Sequence, residues 1–459
     1  MSNLQRTAYF SHARAEAVAR AALDRVDPVR LITRSLRLQD NLLVIEAEGL
    51  TRTFDLARFD EIMVVGAGKA GASMARGLEE VLGDRISRGL VSIKYGHRLE
   101  GAPELIPLIE AGHPVPDEKS LQAAREIARL VGEAGERTLC ITLISGGGSS
   151  LLTLPGGTED GTLSLEDIQA TTSLLLGAGT PIGEINCVRK HLSGISGGRF
   201  CRMAAPATVV ALILSDVVGD DPGSIASGLA AADPTTFHDA WEICQRYGIA
   251  GNLPRAVQGV LQAGKEGALE ETPKPGDPIF GTVHPVLLGT NRIALEAARR
   301  QALDAGYNTR VLTSRLTGEA REIARVFTAL AAEIVQGRGF LERPACILAG
   351  GETTVTLRGS GKGGRNQEMA LAVLAEMAAS PGEYQGVTFL SAGTDGTDGP
   401  TDAAGAWASP DLAGAGDIPD LQKALAENDS YHLFERLGGL YITGPTNTNV
   451  CDIQILLVE

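Results

Sequence analysis

A chain of 459 residues with 44% hydrophobic and 21% charged side chains has an ordinary globular composition and the length for two large domains rather than one core. Its formal charge of −15, from 41 basic and 56 acidic residues, with aromatics at only 4%, repels polyanions and leaves little for stacking bases, which excludes nucleic acid as a partner. No segment approaches the ~20 consecutive apolar residues of a membrane span, and the six cysteines are scattered without a CxxC pair, so the expected setting is the cytoplasm, with no membrane, zinc site or disulfide framework.

The first 27 residues carry His12, Arg14, Glu16, Arg20, Asp24 and Arg25 among alanines and read as an amphipathic helix. The two carboxylates and the lack of an apolar run argue against a transit or signal peptide. A strand predicted over 61–65 runs into GAGKAG (66–71), followed by a helix over 72–82 with Met74, Ala75, Leu78, Val81 and Leu82 on one face. In this strand–turn–helix unit, Gly66 and Gly68 let backbone N–H groups approach an anion at the positive end of the helix.

GAGKAG admits two readings. It satisfies the GxGxxG dinucleotide fingerprint, but that unit expects an acidic residue at the end of its second strand. Here the strand over 90–93 runs into Lys94, Tyr95, Gly96 and His97 instead. Lys69, inside the loop, suits a phosphate or carboxylate better than a dinucleotide, and the Walker A spacing is absent.

After a helix over 120–130, the strand over 139–144 ends in SGGGSS: Ser145, Gly146, Gly147, Gly148, Ser149 and Ser150. Two glycine loops at strand carboxyl ends belong in one crevice of an open α/β sheet. INCVRKHLS then gathers Asn186, Arg189, Lys190 and His191 near a helix end. The strand over 209–214 leads to Ser215 and Asp216. A carboxylate at a strand end suits a proton acceptor or metal ligand, whereas Asp220 and Asp221 read as turn formers.

The polar, proline-bearing stretch 263–284 is the expected linker, separating a domain of residues 1–262 from one of 285–459. Beyond it, helices are predicted over 291–305 and 318–336, and strands over 345–349, 387–391 and 453–458. Glu352 follows the first of these strands, and GSGKGGRNQE supplies Lys362, Arg365, Asn366 and Glu368 ahead of a helix. SAGTDGTDGPTDAAGA follows the next strand, with Asp395 and Asp398 as the pair suited to hold Mg²⁺ against nucleotide phosphates. GPTNTNVCD (444–452) stands as either a turn or an anion clamp.

Taken together, GAGKA, GHPVPDE (112–118), SGGGSS, VRKHLS, SDVVGDD, IASG, DPTTF, GGETTV, GRNQE and AGTDGTDGPTDAAGA resemble the glycerate 2-kinases that carry a C-terminal MOFRL domain. The resemblance spans roughly 15–458. It implies two α/β domains, the first a Rossmann-like doubly wound parallel sheet and the second smaller, with a mixed sheet. It further implies ATP- and Mg²⁺-dependent phosphorylation of D-glycerate at the 2-hydroxyl in a cleft between the domains, and it leaves a homodimer open. Lys69 and Arg365 carry over as catalytic or substrate-holding residues, with Asp216 expected to orient or deprotonate the acceptor and the SGGGSS amides to cradle phosphate oxygens. Asn186, Arg189, Lys190, Glu352 and Asn366 complete the expected binding set. Members of the family also bear the label hydroxypyruvate reductase, so NAD(P)H-dependent reduction is the alternative activity, and a non-catalytic sensor of sugar-acid phosphates a further one.

Overall fold

Strands covered by helices on both faces need apolar side chains on both, rather than an alternating pattern. Thr138–Ile144 meets that requirement and is buried at every position. It lies in a six-stranded sheet ordered Val283–Gly289, Thr208–Leu214, Thr138–Ile144, Glu61–Ala67, Arg88–Lys94 and Leu108–Ala111. The four pairings from Thr208–Leu214 through Leu108–Ala111 are parallel. From Glu61–Ala67 the chain builds outward on one side, then crosses back to build on the other. The order therefore reverses between Glu61–Ala67 and Thr138–Ile144, the switch point of a doubly wound sheet.

This computed structural model describes residues 3–98, 101, 103–158 and 161–459. It divides into two units, one of residues 28–288 and one of residues 1–27 with 289–459. Two features differ from the expected organisation. The helix Asn3–Arg25 counts with the second unit, where its buried Ala15, Val18, Ala19 and Ala22 pack against the helix Asn291–Asp304. Thr448 Oγ1 also donates to the Val26 carbonyl at 2.7 Å.

The stretch 263–284, expected as a linker, is packed into the first unit. Thr272 is 1% exposed and donates to Asp233 at 3.1 Å, while Asp233 N–H donates to the Pro273 carbonyl at 2.9 Å. Polar composition suggested a tether, but those polar groups satisfy buried partners instead. The chain passes between units only around 27–28 and 288–289.

The second unit holds a mixed sheet ordered Asn308–Leu316, Ala345–Gly351, Asp452–Val458, Val387–Gly393, Gly405–Ala408 and Leu440–Tyr441. The first pair is parallel and the rest antiparallel. Gly351 and Gly393 both register with Asp452. Two strand carboxyl ends thereby flank the amino end of a third, concentrating loop residues at one edge. Behind them the helix Arg365–Ala379 is buried over almost its whole length.

Candidate functional site

In the first unit, the two glycine loops meet at the switch point. Ala67 pairs with Ile144 across the adjacent strands. Beyond that pair, Lys69 N–H donates to the Gly146 carbonyl at 2.8 Å and Ala70 N–H to Ser145 Oγ at 3.1 Å. The absence of side chains is what allows this approach. A Cβ on Gly68 would lie 2.0 Å from Ser145 Oγ, and one on Gly66 2.1 Å from the Leu143 carbonyl oxygen. Gly66 thus serves strand packing, not ligand contact.

Three polar side chains converge on Gly146 and Gly147. A Cβ on Gly146 would stand 2.0 Å from Asp216 Oδ2; one on Gly147 would stand 2.8 Å from His113 Cδ2 and 3.5 Å from Lys69 Cγ. Among the described residues, the N–H groups of Gly146 and Gly147 make no hydrogen bond, unlike those of Ser145 and Gly148. Unused backbone donors next to a lysine side chain are groups suited to receive an anion. Burial, reinforced by the charges of Lys69, Lys94 and His97, pushes the His113 imidazole down to about 4, so it is neutral at neutral pH.

The loop is braced from below. Ser149 Oγ lies 2.7 Å from Ser227 Oγ, which also donates to Asn186 Oδ1 at 3.4 Å. Ala226 and Ser227 adopt left-handed backbones with φ of 47° and 54°, a conformation costing roughly 1–3 kcal/mol for a residue with a Cβ. The strain presses Ala226 against Gly148, where an added Cβ would meet the Ala226 Cβ at 2.8 Å.

Lys190 departs from its expected role. It is 6% exposed and its Nζ pairs with the fully buried Asp233 at 3.4 Å. A buried ammonium needs a carboxylate, and this one is committed to the framework. Its neighbour Arg189 is half-buried, with its pKa lowered by burial alone.

In the second unit, Arg365 opens the helix Arg365–Ala379 and forks onto Asp452, with Nε at 2.6 Å and Nη2 at 2.9 Å from its two oxygens. Nη1 pairs with Glu352 at 2.9 Å. Burial works against the guanidinium charge, but the bonds and charges of Asp452, then Glu352, raise its pKa further. Asp395 Oδ1 accepts from Thr397 N–H and Oγ1, both at 3.1 Å.

Asp398 is deeper. Its carboxylate accepts the N–H groups of Asn366 at 3.1 Å and Gln367 at 2.8 Å, capping the helix. Burial pushes its pKa up to about 6. Asn366 is fully buried and accepts from Ser391 Oγ at 2.6 Å. Asn366 and Asp398 therefore position the start of the helix. Among the described residues, no cluster of three or more His, Cys, Asp or Glu side chains is arranged to hold a metal ion.

Sequence reasoning assigned no role to His113, Asp452 or Ser227. His113 and Ser227 stood inside the motifs GHPVPDE and IASG, but only the fold carries them to the glycine loop. Asp452 had one signal, a carboxylate opening a largely apolar strand.

A doubly wound sheet with paired glycine loops, a loop lysine and a strand-end aspartate, alongside a mixed-sheet unit with a clamped arginine, defines an α/β enzyme that handles phosphorylated or carboxylate anions. Residues 14–262 match a domain of unknown function, DUF4147, and residues 345–452 match the MOFRL family. A glycerate 2-kinase of Pyrococcus horikoshii is 40% identical, with 95% of each chain covered. A D-glycerate 2-kinase of Thermotoga maritima is 41% identical over 90% of this chain and 95% of its own. A relative from Agrobacterium vitis named for hydroxypyruvate reductase is 44% identical over 86% of this chain and 87% of its own. The crystal structure of a Thermotoga maritima glycerate kinase superimposes with a TM-score of 0.83 at 37% identity, covering 98% of this chain and all of that one. The chain belongs to the glycerate kinase family.

Proposed function

We propose that this chain transfers the γ-phosphoryl group of ATP to the 2-hydroxyl of D-glycerate, giving 2-phosphoglycerate and ADP. The observation that carries the reading is the convergence of Lys69, His113 and Asp216 on two unpaired backbone donors at the sheet's switch point. Phosphoryl transfer needs alignment and charge neutralisation more than covalent chemistry. Lys69 and the Gly146 and Gly147 amides supply fixed positive potential for the transferring group. Asp216 orients the acceptor hydroxyl and takes its proton. His113, neutral, offers a hydrogen bond without adding charge.

Arg365 is assigned to an anionic group of a substrate. Asp452, 1% exposed at its side chain, fixes the guanidinium plane, while Glu352 at 46% is the partner a substrate anion can replace. Mg²⁺ would neutralise nucleotide phosphates when bound. Asp398 does not fit that ion, since helix N–H groups occupy both oxygens. Asp395, the shallower carboxylate of the pair, is assigned to the ion, the remaining ligands coming from phosphate and water.

The end of the strand Arg88–Lys94 bears a lysine where a nicotinamide enzyme places its ribose-binding carboxylate, which disfavours hydride transfer. Incubation with ATP, Mg²⁺ and D-glycerate, followed by ³¹P NMR of the products, should show ADP and 2-phosphoglycerate. Oxidation of NADH by hydroxypyruvate with no ADP formed would reverse the assignment. Six buried cysteine thiols suit a cytoplasmic setting, and no described helix is long and apolar enough to cross a membrane.

A further inference from the structure

Beside the SGGGSS loop the first unit holds a partly open cavity of about 220 Å³. Its walls are the segment 114–116, residues 149–154, and the helices Leu165–Gly177 and Ile182–Leu192. Two hydrogen bonds fix these walls together: Ser150 Oγ donates to the Pro114 carbonyl at 2.8 Å, and Gln169 Nε2 to the Pro116 carbonyl at 2.7 Å. An aliphatic wall that includes Ile168, Leu175, Val188 and Leu192 is interleaved with serines, threonines and Gln169. Val115 and Leu176 line it too, yet remain 61% and 59% exposed. Large aliphatic side chains left wet beside an apolar cavity mark a ligand surface.

The polar end is equally defined. Arg189 lies one helical turn beyond Asn186, on the same face, and lines the cavity together with Ser149, Ser196 and Ser227. Among the described residues its guanidinium has no hydrogen-bond or ion-pair partner, although it is half-buried. A desolvated guanidinium without a carboxylate awaits an anion, and its planar fork matches phosphate. Glycerate has only three carbons and would leave most of the aliphatic wall uncovered. A molecule with a flat apolar body and a phosphate tail satisfies both ends.

We infer that this cavity seats the base and ribose of the nucleotide, with Arg189 on a phosphate oxygen and the chain of phosphates running onto the SGGGSS loop. The assignment rests on the kinase reading above for the identity of the nucleotide as ATP or ADP. It adds which elements hold the base, and it makes the helix Leu165–Gly177 a determinant of nucleotide specificity.

Photolabelling of the full chain with 8-azido-ATP, with the modified peptide mapped by mass spectrometry, locates the base directly. Label within 149–154 or 165–176, suppressed by excess ADP, is the expected result; label confined elsewhere overturns the inference. Thr172→Trp, which fills the cavity from a partly exposed position, should weaken ADP binding about tenfold or more while the KM for D-glycerate changes less than about twofold. Arg189→Met should weaken ADP about tenfold but adenosine less than about threefold, since only ADP offers phosphate. A folded Thr172→Trp protein with wild-type affinity for ADP, or with its loss in glycerate KM instead, refutes the pocket. Turnover with unaltered nucleotide binding in both variants would sink the pocket and leave the kinase reading standing. Cavity-dependent ADP binding without glycerate phosphorylation would do the reverse.

Discussion

At the residue scale, the glycine loop works because side chains are missing where neighbours must enter. Gly146 leaves space for the Asp216 carboxylate, whose Oδ2 would lie 2.0 Å from an added Cβ. Gly146→Ala should displace that flexible carboxylate rather than the backbone. We expect kcat/KM to fall about tenfold or more through misalignment, with a melting temperature within about 3 °C of the parent; steady-state kinetics beside a thermal melt would check both, and unchanged kinetics would remove Asp216 from the mechanism. Lys69→Ala should lower kcat/KM on the order of 10²-fold or more, equivalent to roughly 3 kcal/mol of transition-state stabilisation. A near-wild-type rate would dismiss Lys69. His113 supplies a pH signature. Its folded pKa is depressed from 6.5 to about 4, so the unfolded chain binds the extra proton between those values. Its contribution to stability is complete above about 6.5 and declines as pH falls towards about 4. In urea titrations across that window, His113→Gln should lose less stability on acidification than the parent.

At the scale of elements, what matters is how helix ends are satisfied. The helix Arg365–Ala379 has glycine at its N-cap with no side-chain cap of its own, and Asp398 caps it from a distant loop. That long-range bond ties the SAGTDGTDGPTDAAGA segment to the arginine it serves. Asp398→Ala should cost about 1–3 kcal/mol by orphaning two buried N–H groups. Chemical denaturation would measure it, and a variant as stable as the parent would show that another group takes over the cap. The sequence made Asp395 and Asp398 look equivalent, both being Asp-Gly turns in one glycine-rich run. Burial separates them: one carboxylate sits 3% exposed against a helix end, the other beside Thr397 at an intermediate depth.

At the scale of the molecule, chain order and spatial grouping part company. The helix Asn3–Arg25 precedes the first unit in sequence but counts with the second, where Arg14 reaches Glu459 at 2.8 Å. Deleting residues 1–27 removes the buried Val18 and Val26 and several alanines, a loss of about 5 kcal/mol at ordinary transfer values. Hydrogen exchange read by mass spectrometry should show protection falling in 289–459 and preserved in 28–288. Loss of protection in 28–288 would mean that this helix supports the first unit instead.

What the sequence determined by itself was local: apolar runs that had to be strands, periodic segments that had to be helices, and glycine loops placed after strands. These depend on side chains within a few residues of one another, and so did the reading of Lys69, the SGGGSS loop, Asp216 and Arg365 as candidate residues. Only the tertiary structure decided that 263–284 packs rather than tethers, that Lys190 and Asp398 are spent on buried partners, and that His113 reaches Gly147. The physical reason is that burial and pairing are set by groups dozens to hundreds of residues away. A polar side chain in a motif looks the same in sequence whether it will face a ligand or a buried N–H group.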